Sequence, residues 1–354
     1  SNQDISTSAV EESIRVDEAV ETALLAAGWT EYEVDQQADI IRYWWVDNKR
    51  LTSAIGELED ISLGTFFVAA DGTAKYYSRT RALVQVLALE SGDLLREIML
   101  SQPWETVRNA IEMIVNPRVL QSDGELWTLK SQPSVPDGGS IEIWAPYRFG
   151  EAAVPAIDVH VPSTDFAINS FADGSGTDLT GDCTVTLTAF PETAKLVISN
   201  ASGQDGYIIS LKVFGKAISM TIPVIVRDSN PDSIAIYDTR RLRIDSTWLQ
   251  DANVAIDLAA ALVDLLSEAR KNPTVRIDGR PDIQFVPDLC DRVSLDVPVL
   301  AINYAYRVGA IEHDWITSNG QRVVTTLRLE PIIDTSNVYW TFPTEIGITS
   351  IFGF

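Results

Sequence analysis

The stretch from residue 245 to residue 331 constrains the fold most, because its hydrophobic pattern changes period part-way along. Its first part has apolar residues at helical spacing, at Val254, Leu258, Leu262, Leu265, Leu266 and Ala269. Asp251 or Asn253 can cap this helix, and Asn272-Pro273 ends it, because proline lacks an N–H and forces the residue before it out of the α region. Apolar and polar residues then alternate, as in strands. The sequence therefore predicts a helix over 251–270 followed by strands that close into a β-barrel.

The longest predicted hairpin lies near the end of this stretch. A strand over 306–315 turns at Ser318-Asn319-Gly320 and returns as 321–330. A two-residue and a three-residue loop differ by one residue in register, and such a slip moves a whole set of side chains to the other face. Burial favours the three-residue loop. It pairs the inner-face residues Trp315 with Val323 and Ile311 with Leu327. We therefore expect Trp315 to be buried and its replacement by alanine to cost about 3 to 5 kcal/mol.

The first 124 residues predict a small α+β domain. Asp17 caps a helix that ends at Gly28, and the β-branched and aromatic stretch 40–46 is a strand. A second helix runs from Leu51 to Gly64. Asp71-Gly72 then joins two strands, and this dipeptide is a strong hairpin signal.

The middle of the chain predicts an immunoglobulin-like β-sandwich. Residues 80–124 fit a helix or a strand, with the strand favoured. Residues 125–226 contain seven candidate strands, the last over 218–226, separated by glycine-rich turns. Val185, Leu187 and Ala189 alternate with threonines, the pattern of a sheet with one buried face. This domain is interpreted as an insertion.

The last domain, 227–354, predicts the helix plus β-barrel with an aromatic tail. Asp228-Ser229-Asn230-Pro231 is its entry linker. Beyond Pro331 we expect the tail to leave the barrel and bury Trp340, Phe352 and Phe354 against another domain or subunit. The fold class is therefore α+β, β-rich and multidomain.

Charge and composition exclude several classes of partner. Fifty acidic residues oppose 27 basic ones, giving a net charge of −23, which disfavours nucleic acid and anionic membrane surfaces. The densest basic run, Arg240-Arg241-Leu242-Arg243, is interpreted as a solvated or ion-paired strand edge. No apolar run approaches the roughly 20 residues that span a bilayer. Cys183 and Cys290 are expected to be reduced, partly buried thiols. The chain lacks an initiator methionine, which is expected if it is a fragment of a longer protein.

Candidate chemistry is sparse in the sequence. His160 and His313 lie in predicted strands without a serine or cysteine motif nearby. The stretch from Asp173 to Asp178 loosely suggests calcium, but a glycine-rich turn is favoured, and no zinc or phosphate-loop motif is present. We therefore predict no catalytic, cofactor-binding or metal-ligating residue.

Nine tryptophans and many carboxylates leave a sugar-binding alternative open. Trp44-Trp45, Trp127 and Trp144 could stack on sugars, and paired carboxylates could hydrolyse a glycosidic bond. Most of these tryptophans lie in alternating strands, where aromatic residues are usually core. A carbohydrate-binding module, and less so a glycoside hydrolase, therefore remain alternatives.

Short motifs spread over most of the chain carry a family resemblance. The sandwich segment contains Gly174-Ser175-Gly176-Thr177-Asp178 and Gly206-Tyr207, which leads to Leu211 and Gly215. The N-terminal motifs are Ala26-Ala27-Gly28-Trp29, Tyr43-Trp44-Trp45-Val46 and Asp71-Gly72 before Arg79. Those after helix 251–270 are Asp291-Arg292-Val293, Tyr306-Arg307-Val308, Ile311-Glu312-His313 and Thr325-Thr326-Leu327-Arg328-Leu329-Glu330-Pro331. Together they resemble phage and prophage tail proteins of the baseplate-hub or tail-tip class, some of which carry an inserted domain.

The resemblance implies a structural role rather than an enzymatic one. It implies location in a virion tail, with the bacterial cytoplasm as the compartment before assembly. Other tail and baseplate proteins would be its partners, and a homo-oligomer, often a trimer, its state. It transfers no catalytic residue and no cofactor. The N-terminal barrel usual in such hubs has no counterpart here. A carbohydrate-binding surface or secreted protein is the alternative.

Overall fold

The computed structural model describes residues 4–79, 81, 85–94, 98–316, 322–332, 341–343 and 349–351. Helices in this part of the chain are α1 (Val16–Ala26), α2 (Leu51–Ser62), α3 (Pro231–Tyr237), α4 (Ala252–Leu266) and α5 (Pro281–Gln284). Strands before the sandwich are β1 (Asp4–Thr7), β2 (Glu11–Arg15), β3 (Tyr32–Val34), β4 (Ile40–Trp44), β5 (Asp47–Arg50), β6 (Thr65–Val68), β7 (Ala74–Tyr77), β8 (Gln85–Glu90), β9 (Ile98–Ser101) and β10 (Ala110–Val115). Strands of the sandwich region are β11 (Arg118–Thr128), β12 (Ser134–Val135), β13 (Ser140–Pro146), β14 (Arg148–Phe149), β15 (Ala152–Ala153), β16 (Ala156–His160), β17 (Phe166–Asn169), β18 (Cys183–Ala189), β19 (Thr193–Asn200) and β20 (Gly206–Met220). The remaining strands are β21 (Val224–Ser229), β22 (Arg241–Asp245), β23 (Asn272–Asp278), β24 (Arg292–Val297), β25 (Ile302–Ile316), β26 (Arg322–Pro331), β27 (Thr341–Pro343) and β28 (Thr349–Ile351).

A first hydrophobic core joins α1, α2 and α4. Leu24 of α1 and Leu58 of α2 are fully buried, and both belong to apolar stripes at helical spacing. On α4, Leu258 is buried in the same core, against the side of β10 that carries Met113. The sheet behind α4 has the order β21-β10-β22. The prediction that the region around Ile111 is a strand is confirmed.

The grouping of this helix with the C-terminal strands is wrong. Asp251 is the N-cap, and its carboxylate accepts a hydrogen bond from the Asn253 N–H, so the predicted start is confirmed. The helix ends at Leu266, before Asn272-Pro273, which already belong to β23. Its apolar face packs against the β21-β10-β22 sheet rather than against the C-terminal sheet. Periodicity shows that a helix has a buried face but does not show which sheet covers that face.

The first helix begins two residues earlier than predicted. Arg15, and not Asp17, occupies the N-cap position, and its backbone N–H donates to the Glu18 carboxylate. Asp17 lies inside the first turn, where its negative charge faces the positive end of the helix dipole. Gly28 follows the helix with φ +75°, as predicted for a residue just beyond a C-terminus.

The second core lies between two sheets of the sandwich. The long strand β20 pairs with β11, β12, β16 and β17, and the second sheet has the order β13-β19-β18. Leu211 and Val213 from the first sheet pack with Leu196 and Ile198 from the second. A sandwich is therefore present, and its core residues fall between Leu126 and Ala217.

The predicted strand over 218–226 is two strands in different sheets. β20 ends at Met220, and β21 begins at Val224 beside β10. Pro223 lies between them and cannot donate a ladder hydrogen bond. The predicted linker 228–231 is also wrong, because β21 extends to Ser229. Asn230 then caps α3 by accepting a hydrogen bond from the Ser233 N–H.

The third core lies on a six-stranded sheet of order β8-β24-β25-β26-β23-β9. The outer strands β8 and β9 come from residues 85–101, so this sheet is not confined to 227–354 as the sequence suggested. Within the described residues no pairing joins β8 to β9. The described strands therefore form an open sheet. Closure of this sheet into a barrel remains a prediction. The domain boundaries at 124 and 226 also remain predictions. The tail residues Trp340, Phe352 and Phe354 lie outside the described residues.

Candidate functional site

The hairpin of β25 and β26 extends beyond the rest of its sheet. β24 pairs with β25 only over Ile302–Arg307, and β23 runs beside β26 only as far as Val324. The predicted register is confirmed, because Trp315 pairs with Val323 and Ile311 with Leu327. The turn residues 317–321 lie outside the described part of the chain. We call the described ends of β25 and β26 beyond these neighbours the arm.

The burial predicted for Trp315 is wrong. Leu327 is fully buried and Ile311 is half-buried, but 73% of the Trp315 surface is exposed. All three side chains lie on the same face of the hairpin. Trp315 is exposed because no described neighbouring strand reaches its position, so the core ends before it. The alternation of apolar and polar residues correctly predicted which face of the hairpin carries Trp315. It could not predict how far the neighbouring strands β23 and β24 extend.

A short helix places further apolar side chains beside the arm. Gln284 at the end of α5 donates hydrogen bonds from Nε2 to the Ile277 and Val323 carbonyls, at 2.9 and 2.8 Å. These bonds fix α5 to β23 and β26. Phe285 follows, and its ring centroid lies 5.0 Å from that of His313. We define the aromatic patch as Trp315, His313, Phe285 and Val286, all of them exposed.

The aromatic patch offers apolar surface at the end of the arm. His313 Nδ1 lies 2.9 Å from Thr325 Oγ1. Exposed aromatic side chains on a rigid support are typical of the centre of protein–protein interfaces. An ion pair between Arg322 and Asp278, at 2.8 Å, gives the arm a polar edge. The arrangement is therefore suited to burial against an apolar partner surface.

The other candidate residues are scattered. His160 is exposed on β16, its Nδ1 donates to the Asp158 carbonyl, and it lies in a different sheet from His313. Cys183 and Cys290 are free and buried, as predicted. Asp173 accepts hydrogen bonds from Ser175 and has a lowered pKa for that reason, so it stabilises a turn. Within the described residues no group of three metal-ligand side chains is present. None of the described helices is long and apolar enough to cross a membrane.

The tryptophans considered for sugar stacking divide into two classes. Trp44 and Trp45 belong to the first core, and half-buried Trp127 packs against the sandwich core. Trp144 is 52% exposed on β13, and its ring stacks on Phe190 with centroids 5.7 Å apart and planes 23° apart. Its indole N–H donates to Glu142, which also pairs with Lys195.

The basic run forms a strand edge, as interpreted from the sequence. Arg241 and Arg243 are exposed on β22, at one edge of the β21-β10-β22 sheet. The Arg240 guanidinium lies over the Trp104 ring, 4.5 Å from its centroid. Sequence reasoning missed the aromatic patch, because neither Phe285 nor Val286 belongs to a recognisable motif.

Comparison with known proteins gave matches only among solved structures, since no family model and no curated protein matches the chain. The 43 kDa tail protein of prophage MuSo2 from Shewanella oneidensis is 8% identical, with a TM-score of 0.44 over 90% of this chain and 65% of that one. The tail protein from Neisseria meningitidis MC58 is 9% identical, with a TM-score of 0.47 over 94% and 69%. Prophage tail protein gp18 from Listeria monocytogenes EGD-e is 8% identical, with a TM-score of 0.37 over 92% and 69%. These similar structures are phage and prophage tail proteins. This chain spans 65% of the length of the Shewanella protein.

Proposed function

We propose that this chain is a structural component of a phage or prophage tail, of the baseplate-hub or tail-tip class. It acts by protein–protein assembly and not by catalysis. The aromatic patch carries the proposal, because it presents exposed Trp315 on a hydrogen-bonded arm and exposed Phe285 beside that arm. Burying such aromatic anchors supplies most of the binding energy at many interfaces.

The motifs that resemble those of tail hubs lie in the strands that form the arm, which supports the same proposal. Tyr306-Arg307-Val308, Ile311-Glu312-His313 and the segment from Thr325 to Pro331 build β25 and β26. The resemblance and the projecting arm therefore concern the same two strands. Other tail and baseplate proteins, and further copies of this chain, are the partners we propose. We expect the protein to be made in the bacterial cytoplasm and to be located in the virion tail. We also propose that its sandwich is an immunoglobulin-like insertion.

Carbohydrate binding is the second candidate, and one observation favours it. Trp144 and Phe190 form an exposed aromatic stack beside the paired charges of Glu142 and Lys195. Such a surface can stack on a sugar ring and hydrogen-bond its hydroxyls. Strong and saturable signals on a glycan array, lost in Trp144→Ala, would support this candidate.

The experiment that separates the candidates is complementation in the strain that encodes the chain. Deleting the gene should abolish complete tails in electron micrographs of induced particles, and antibody labelling should place the wild-type chain on the tail. Trp315→Ala should lower the yield of complete tails. Trp144→Ala, an exposed tryptophan elsewhere, is the matched control and should restore them. Normal tails after deletion would overturn the proposal.

A further inference from the structure

A cavity of about 690 Å³ lies between the segment after α4 and the C-terminal sheet. Residues 268–271 form one wall, and Arg292, Tyr304 and Tyr306 of β24 and β25 contribute to the other. Gln102 at the end of β9 closes one side by donating to the Ala269 carbonyl at 2.6 Å. Cavities of this volume are the usual size of small-ligand sites. It lies away from the aromatic patch, which uses the other end of β25.

The charge of the cavity wall is opposite to that of the whole chain. Arg270, Lys271 and Arg292 line it, with Glu268 as its one acidic residue. Lys271 donates to the Leu300 carbonyl at 3.3 Å, and no carboxylate of the described residues lies within ion-pair distance of its ammonium. Arg270 donates to the Asp264 carbonyl and lies 3.8 Å from the Asp264 carboxylate. Arg270 and Lys271, side by side on one wall in a chain of net charge −23, favour an anionic occupant.

A tyrosine adds a hydrogen-bond donor to the cavity wall. Tyr306 is 4% exposed and lines the cavity. Within the described residues its hydroxyl has no hydrogen-bond partner. Burial raises its pKa, so the hydroxyl stays protonated and can donate. A ligand oxygen placed in the cavity could accept a hydrogen bond from this hydroxyl.

From these features we propose that the cavity binds a carboxylate, carried by an acidic peptide segment or by a free organic acid. Lys271 and Arg270 supply the opposing charge, and the Tyr306 hydroxyl donates to a carboxylate oxygen. A long polyanion such as nucleic acid is disfavoured by the charge of the chain as a whole. The binding of a single carboxylate depends instead on the cations that lie within a Debye length of it, about 8 Å at physiological salt. The proposal does not depend on the role in a tail.

Calorimetric titration of the full chain tests the proposal with defined probes. An acetylated, amidated triglutamate peptide represents a protein segment, glutarate represents a free acid, and the trilysine peptide is the charge control. The proposal expects saturable one-to-one binding of a carboxylate probe that weakens with added salt, and no binding of trilysine. Tighter binding of triglutamate than glutarate identifies a peptide source, and the reverse identifies a free acid. Saturable binding by neither acid would overturn the proposal.

Variants then assign the binding to this cavity. Lys271→Ala should weaken carboxylate binding by about tenfold, the usual effect of losing one charged hydrogen bond. Tyr306→Phe should weaken it by about threefold or more without lowering the melting temperature, because its hydroxyl has no partner to lose. Tyr147→Phe removes a buried tyrosine hydroxyl in the sandwich and is the matched control, with unchanged affinity expected. Wild-type affinity in folded Lys271→Ala and Tyr306→Phe would contradict the assignment.

Discussion

At the scale of single residues, two strand tryptophans lie at opposite extremes of exposure. Trp44 of β4 is 1% exposed and contacts the Trp248 ring at a centroid distance of 6.4 Å. Trp315 of β25 is 73% exposed. Trp44 shares its side of β4 with the exposed residues Ile40 and Arg42, whereas Trp315 shares its side of β25 with half-buried Ile311. Neighbours in space, and not strand alternation alone, therefore decide how much surface each tryptophan buries.

Alanine substitution should separate these two tryptophans. Trp44→Ala should lower the free energy of unfolding by about 3 to 5 kcal/mol, because it leaves a cavity in the first core. Trp315→Ala should change it by about 0.5 kcal/mol or less, since the residue packs against little. Urea unfolding of both variants measures the difference. Equal destabilisation by the two substitutions would show that the arm is packed in solution.

Glu59 is a half-buried carboxylate near the end of α2. Burial raises its pKa, and the hydrogen bond that it accepts from the Phe66 N–H at 2.6 Å opposes that shift. The nearby charge of Asp60 adds to the increase. The folded state therefore binds a proton at pH values where the unfolded state has already lost it.

A pH dependence follows for Glu59→Gln. Above the ordinary pKa of 4.5, the unfolded chain releases the proton first, so the contribution of Glu59 to the free energy of unfolding falls as pH rises through the folded pKa. Glutamine keeps an oxygen acceptor for Phe66 but carries no charge. The variant should be more stable than the wild type at pH 7, and the difference should disappear towards pH 4. Urea unfolding across this range measures it, with the exposed Glu105→Gln as control. A pH-independent difference would contradict the explanation.

At the scale of elements, local patterns predicted most helices and hairpins. Leu51, Ile55 and Leu58 repeat at helical spacing, and Asp71-Gly72 joins β6 to β7, so both features depend on residues close in sequence. The register of β25 and β26 was also predictable, because one face had to be buried. The pairing of β8 with β24 was not, since it joins Leu89 to Leu295 across two hundred residues of chain. The cavity was missed for the same reason, because its walls join Gln102 to residues 268–271 and Tyr304.

The long strand β20 has a glycine, Gly215, at a position where β11 and β16 both pack closely against it. A Cβ at Gly215 would lie 3.0 Å from the Ile157 carbonyl oxygen and 2.9 Å from a Leu126 methyl group. The backbone of β16 cannot move away without breaking its pairing with β20. Gly215 therefore sets the spacing between β16 and β20.

Gly215→Ala should destabilise the sandwich by about 1 to 3 kcal/mol, the usual cost of adding a methyl group to a packed site. Gly92→Ala is the matched control, because a Cβ there meets nothing within 4 Å. Thermal unfolding should show a lower midpoint for Gly215→Ala and little change for Gly92→Ala. Equal midpoints for Gly215→Ala and the wild type would mean that β16 can shift away from β20.

At the scale of the whole molecule, the sandwich joins the first core through the base of β11 and β20. Arg118 at the start of β11 is 6% exposed, and its guanidinium carbon lies 4.3 Å from the Trp45 ring centroid and 5.2 Å from that of Trp248. Burial lowers its pKa to about 10. Leu120 and its partner Ile218 also pack in the first core. The base of this ladder therefore belongs to the first core, and the sandwich begins beyond it.

This junction determines where the sandwich can be removed. A cut at 125 and 226, as the sequence suggests, would delete Ile218 and the part of β21 that pairs with β10. Joining Leu120 to Ile218 through Asn-Gly instead keeps Arg118 and closes the existing ladder with a two-residue hairpin turn. We expect this shortened protein to unfold in one cooperative transition by urea, because the first and third cores remain intact. The cut at 125 and 226 is the matched comparison and should unfold at lower urea. A non-cooperative transition after the Leu120–Ile218 junction would show that the sandwich is required for the other cores to fold.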